Sequence, residues 1–159
     1  MPSKANYNSL PAQAAGNFVI NKATPTATLA VNNSPVTYDG SAKSATVGIS
    51  ASSVPGAVAN ILTGGAATRT NVGTYAVTAD FVPTDTTNYE TLTALAAGNF
   101  VINKATPTAT LAVNNSPQSY TGAGQAATVT ISASSVPGAA ANILTGGAAT
   151  QTNAGTYAV

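Results

Sequence analysis

The sequence is poor in the residues that most protein chemistry uses. It has no Cys, no His and no Trp, and only five basic and four acidic residues among 159. Without Cys there is no disulfide, no thiolate nucleophile and no Cys-based zinc site. Without His, the commonest general base and metal ligand is missing. A net charge of +1 offers no basic field for nucleic acid or an anionic membrane. No apolar run approaches the roughly 18 residues of a membrane-spanning helix. The opening MPSKANYNSL lacks the charged and then apolar pattern of a signal peptide. The lack of Cys suits either a reducing cytoplasm or a bacterial surface protein that does without disulfides.

What is present is dominated by Ala and Thr, with 14 Gly and 9 Pro. Disorder needs low hydrophobicity and high net charge, whereas 44% of this chain is hydrophobic and its charge is near zero. Solubility therefore rests on Thr, Ser and Asn. Thr is β-branched and fits a pleated, half-wet surface.

The strongest signal is internal. GNFVINKATPTATLAVNNSP occupies residues 16–35 and recurs at 98–117, an offset of 82, and 51 of the 62 positions in 16–77 match 98–159. Asn6-Tyr7 also matches Asn88-Tyr89. A period of 82 exceeds the roughly 20–50 residues of a solenoid turn and suits a tandem array of small domains. Residues 1–21 then match the tail of a preceding unit, 22–103 form a whole unit, and 104–159 form a second that stops at the equivalent of Val77. The second lacks counterparts of 78–103, so it is expected to be unstable by itself. Two readings follow: a window from a longer array, or strand donation, in which residues 6–21 of one chain pair with the open unit of another.

Inside each unit the period is two. Along 73–81, Tyr75, Val77, Ala79 and Phe81 share a face, opposite Thr74, Ala76, Thr78 and Asp80. That is the alternation of a half-buried strand. Similar readings place Ala45, Val47 and Ile49 inward, as well as Ala27, Leu29 and Val31, Phe100 and Ile102, and Ala59 and Ile61. Breakers separate them: Asn33-Ser-Pro35, Asp39-Gly40, Val54-Pro-Gly56, Gly64-Gly65, Asn71-Val-Gly73 and Val82-Pro83. The short Ala-rich run at 91–97 is the sole helix candidate. Short strands between frequent turn signals predict an all-β fold, a β-sandwich. The copies differ at outward positions (Ser44/Ala126, Gly48/Thr130) and agree at inward 45, 47 and 49, as packing would require.

Asn71-Val-Gly-Thr-Tyr75 and Asn153-Ala-Gly-Thr-Tyr157 resemble the D-x-G-x-Y lead-in to the sixth strand of immunoglobulin domains. There the tyrosine hydroxyl bonds back to the backbone upstream. VTYDGSAKSATV at 36–47, TNVGTYAVTADF at 70–81, TTNYETL at 86–92 and GNFVINKATPT at 98–108 together resemble MBG-type repeats, bacterial immunoglobulin-like repeats of secreted and cell-surface proteins. The resemblance implies tandem immunoglobulin-like β-sandwich repeats, an extracellular location and a structural or adhesive role, with no catalytic residues to carry over.

The residues themselves point away from catalysis. Asp39, Asp80, Asp85 and Glu90 are the only carboxylate side chains. A hydrolase needs two held across a bond, and these read as solvated loop and face charges. Calcium would need six to eight oxygens. Asp80, Asp85 and Glu90 lie close in sequence, but without a D-x-D-x-D run. Asp39 is Thr121 in the second copy, which weakens it as an obligatory ligand. Lys22 and Lys104 hold equivalent places; a Lys–Asn crosslink would need a nearby carboxylate, and a Lys snorkelling at a strand end is the simpler reading. Asn32-Asn33-Ser34 and Asn114-Asn115-Ser116 precede Pro and read as turns rather than glycosylation sites. Gly64-Gly65 and Gly146-Gly147 have no phosphate-loop context. No cofactor, metal or nucleic-acid partner is expected.

The expectation is a non-enzymatic spacer at a bacterial cell surface, partnered by neighbouring repeats, with strand 99–103 running through Lys104-Ala105 into the next unit to make a stiff stalk. The alternatives are an adhesive module for a sugar or host protein, for which Tyr38 and Tyr120 are the candidates, and a strand-donating filament subunit that self-associates by strand pairing.

Overall fold

A computed structural model describes residues 8–159; Asn6 and Tyr7 lie outside the described residues. The chain divides into two compact units, the first through Asn103 and the second Lys104–Val159. The described residues form strands and turns and no helix.

In the first unit the strands are β1 (Ala27–Val31), β2 (Val36–Thr37), β3 (Val47–Ser52), β4 (Gly56–Thr63), β5 (Gly73–Pro83) and β6 (Leu92–Asn103). β2, β6, β5 and β4 make one sheet in that order, with β2 parallel to β6 and the other pairs antiparallel. β1 and β3 pair antiparallel as a second sheet, and β1 packs on β6. Between them lies a core of Leu29, Ala45, Val77, Ala79, Ala97, Phe100 and Ile102, with Val47, Ile49, Val58 and Ile61 packed against it. The alternation along β5 is the one read from sequence: Val77, Ala79 and Phe81 are buried and the residues between them are not.

The structure departs from three expectations. Ala59 does not face the core; Val58 and Ile61 do. Ala59 pairs with Asp80, and Leu62 with Thr78, so β4 carries one extra residue. Asn60 absorbs it at φ 50. A bulge of this kind flips the facing of every residue beyond it. The Ala-rich run at 91–97 is not helical but the first half of β6. Pairing with β5 supplies its hydrogen bonds, and two bulges bend it, one with Ala94 at φ 53. Finally, β6 stops at Asn103 and the next strand starts at Ala109, so no strand runs through Lys104-Ala105.

Gly64 and Gly65 follow β4 at φ 58 and 84, and Thr63 and Ala66 exchange backbone bonds across them. Positive φ at both central residues is the type I′ hairpin turn that glycine favours.

The second unit contains β7 (Ala109–Val113) and β8 (Val129–Ser134). Their register, bulge included, repeats that of β1 and β3 one repeat later. Its remaining order is two isolated bridges, Gln125–Gln151 and Thr145–Ala148. Residues 138–142, aligned with the start of β4, make no strand, because the positions aligned with their partners in β5 lie beyond Val159. Leu111 is 56% exposed where Leu29 is 5%. Residues 8–22 are exposed throughout and have no regular secondary structure.

The difference in packing gives a paired prediction. A Cβ on Gly56 would meet the Phe81 ring at 2.5 Å, while one on Gly138 would meet nothing within 4 Å. Gly56→Ala should destabilise the first unit by about 1–3 kcal/mol, and Gly138→Ala should change stability by less than about 0.5 kcal/mol. Urea titration of the two variants measures both.

Candidate functional site

The charged residues hold turns and bulges. The Asp39 carboxylate accepts from the Ser41 N–H at 2.9 Å and pairs with Lys43. Those bonds, the Lys43 one foremost, hold its carboxyl below the ordinary carboxylate range. Asp85 accepts from the Asn88 side chain and from the backbone N–H groups of Thr87 and Asn88, closing the turn before β6, and is lowered for that reason. Asp80 accepts from Asn60 Nδ2 at 2.6 Å on one side and from the Ala94 N–H at 2.8 Å on the other. Its carboxylate thus ties together the bulges at the two non-glycine positive-φ residues, Asn60 and Ala94, of the strands flanking β5, and these bonds lower its pKa.

Asp80, Asp85 and Glu90 are therefore not gathered into a site. Among the described residues no three acidic or other metal-ligating side chains cluster. Lys22 and Lys104 are both exposed. Asn33 donates to the Ser44 carbonyl and accepts from the Thr46 N–H, and Asn115 does the same with Ala126 and Thr128. The Asn-Ser-Pro segments are turn anchors.

Several such bonds occur twice. Tyr75 donates its hydroxyl to the Asn71 carbonyl at 2.8 Å and Tyr157 to that of Asn153 at 3.0 Å, the back-bond that the resemblance to immunoglobulin domains implied. Arg69 donates to the Thr63 carbonyl, and Gln151 donates to that of Thr145, each at 2.8 Å. Arg69 also donates to the Gly64 carbonyl and lies 5.1 Å from the Tyr75 ring centre. The Asp39–Lys43 pair has a neutral counterpart, Gln125 donating to Thr121 Oγ1 at 3.0 Å. Sequence reading missed Arg69 and Gln151. Their shared place beside the Gly-Gly turn was the available signal.

Residues 27–106 match the family model of the MBG domain, just over half of the chain. The chain belongs to the MBG domain family. Comparison with curated proteins and with solved structures gave no match. Within this MBG chain the second unit carries two concavities. A groove of about 390 Å³ is lined by Val113, Ser116, Tyr120, Ala127, Tyr157 and Val159, among others. A second hollow of about 270 Å³, more apolar, shares Val113 and Val159 and reaches Ala140 and Leu144. In the first unit the corresponding space holds β6, with Phe100 0% and Ile102 1% exposed. The candidate adhesive residues Tyr38 and Tyr120 are exposed beside their turns, and Tyr120 borders the groove.

A carboxylate whose folded pKa is depressed adds stability above its unfolded pKa, near 4, and loses it as pH falls through the lowered value. Asp39, Asp80 and Asp85 are all in the first unit and all lowered. The first unit should therefore melt at a lower temperature as pH drops below about 4. Asp80→Asn should lower the melting temperature at pH 7 and shrink that pH dependence. The second unit has no carboxylate side chain, so resonances of Leu111 and Ile131 followed on heating should show no such shift.

Proposed function

We propose that this chain is a non-catalytic structural module, a spacer within a tandem array of immunoglobulin-like repeats, of period 82, on a bacterial surface protein. The array boundaries are 22–103 for one repeat and 104–159 for the next, with 1–21 belonging to a preceding repeat. Membership of the MBG domain family supports a repeat module of this kind.

The observation that carries this reading is that scaffold, not charge, recurs from one repeat to the next. Asp39, Lys43 and Arg69 become Thr121, Gln125 and Gln151, yet the bonds that close the same turns remain. A site that used Asp39, Lys43 or Arg69 as ionic ligands or acid–base groups would need the charge itself; a scaffold needs only the hydrogen bond. Between β6 and β7, Lys-Ala-Thr-Pro-Thr at 104–108 holds no Gly, and the Pro ring locks one backbone torsion. A short connector without Gly restricts hinge motion, which suits a stalk.

Small-angle scattering of chains with three and six whole repeats tests this. A spacer gives a maximum dimension that grows in proportion to repeat number, by about 30–40 Å each if strands set the length at roughly 3.3 Å per residue. Growth closer to the square root of repeat number, as for a freely jointed chain, would overturn the stalk reading.

A further inference from the structure

We propose that the turn before β6 is a lock on the connector between repeats: it grips Ala23, the second residue of the repeat, and Asp85 is the positioning residue that shapes the grip. The role in a joint rests on the array reading; the grip itself belongs to the first unit.

The grip is made of backbone. Ala23 lies parallel to Tyr89 in an isolated bridge. Its N–H donates to the Asn88 carbonyl at 2.8 Å, and its carbonyl accepts from the Glu90 N–H at 2.9 Å. Both backbone polar groups of Ala23 are thus committed to one turn. The chain is held again three residues on. Pro25 is buried, the Thr26 N–H donates to Ser53 Oγ, and the Ser53 N–H donates to the Thr26 carbonyl, each at 2.9 Å. Thr108 and Ser135 repeat that second hold.

Asp85 presents the turn to Ala23. Its carboxylate accepts from the Thr87 and Asn88 N–H groups at 3.1 Å and from Asn88 Nδ2 at 2.7 Å. The Tyr89 N–H donates to its carbonyl at 3.1 Å. The residues so fixed, Asn88 and Tyr89, lie opposite Ala23. The Thr84 N–H donates to the Pro55 carbonyl at 2.9 Å, which ties the near end of the turn to the rest of the unit. Bonds from Asn88, foremost, and the nearby charge of Lys22 hold the Asp85 carboxyl below the ordinary carboxylate range, so the residue next to Ala23 is drawn to the same turn. In sequence the turn recurs with Ser3 for Asp85 and Asn6-Tyr7 for Asn88-Tyr89. Ser is another residue whose side chain bonds the backbone two residues on.

The grip sets how much chain is free to bend. β6 ends at Asn103, Lys104 follows, and Ala105 is the counterpart of Ala23. With the grip repeated along an array, Lys104 alone separates strand from lock. Without it the first hold is at Thr108, and the whole of 104–107 is left between. A joint can therefore be short without a strand running through it.

Amide exchange and nitrogen-15 relaxation of the 159-residue chain test this. The Ala23 and Glu90 N–H groups should exchange slowly, and Ala23 should be as rigid as Thr26, with an order parameter of about 0.85. Asp85→Ala should speed exchange at both by at least about tenfold. It should lower the Ala23 order parameter below about 0.6 and leave Thr26 and the β5–β6 ladder as they were. Asp85→Asn keeps one side-chain oxygen for the Thr87 and Asn88 N–H groups and should recover part of the protection. An Ala23 that exchanges as an unprotected amide in the unaltered chain overturns the proposal. So does protection that Asp85→Ala leaves intact, or a loss shared equally by the β5–β6 ladder, which would make Asp85 a support of the whole unit. Freely jointed growth of whole repeats with Ala23 protected would overturn the joint role and the stalk reading but not the grip. Rod-like growth with Ala23 unprotected would overturn the lock and leave the stalk reading standing.

Discussion

The pairing of β5 with β6 is the interaction on which the rest of the first unit depends. These two long strands carry Val77, Ala79, Phe81, Ala97, Phe100 and Ile102, six of the eight buried hydrophobic residues among those described. β4 and β2 attach to their outer edges, and β1 rests on β6. The second unit shows what remains without that pairing. β7 and β8 still form, because theirs is a complete two-strand ladder. The Gly-Gly turn and the tyrosine back-bond still form, because each is closed within a few residues. The sheet and the core do not, because burial of apolar area needs both surfaces present.

Turn chemistry and core packing are therefore separable here. Side-chain to backbone bonds from Asn33, Tyr75 and Arg69 recur from Asn115, Tyr157 and Gln151 with nearly the same lengths, although one unit is packed and the other open. Such bonds add modest stability each, yet they set the geometry that the strands enter. The chain uses them in place of charge, in keeping with its Thr- and Asn-rich, ion-poor composition.

Asp80 is where charge ties neighbouring strands together, whereas Asp39 and Asp85 close local turns. It stands on the face of β5 away from the core and accepts from both neighbouring strands where each bulges. Non-glycine residues at positive φ are strained unless their surroundings hold them. A carboxylate with two fixed donors is a strong restraint of that type. The bulges it secures give β4 and β6 their changes of facing.

Much of this was legible in the sequence. Alternation is local, so the inward sets Leu29, Val77, Phe81, Phe100 and Ile102 could be read directly, and glycine pairs and Asn-Ser-Pro segments marked the turns through their backbone preferences. The internal repeat and the second copy of the Gly-Asn-Phe-Val-Ile-Asn strand were equally visible. The tertiary structure decided where alternation breaks. Val58 rather than Ala59 faces the core because of an extra residue at Asn60, and the Ala-rich 91–97 run is a strand because β5 lies beside it. Asn60 is of a residue type that tolerates positive φ, but Ala94 carries no local signature, and both conformations are held by a carboxylate on a neighbouring strand, 20 and 14 residues away.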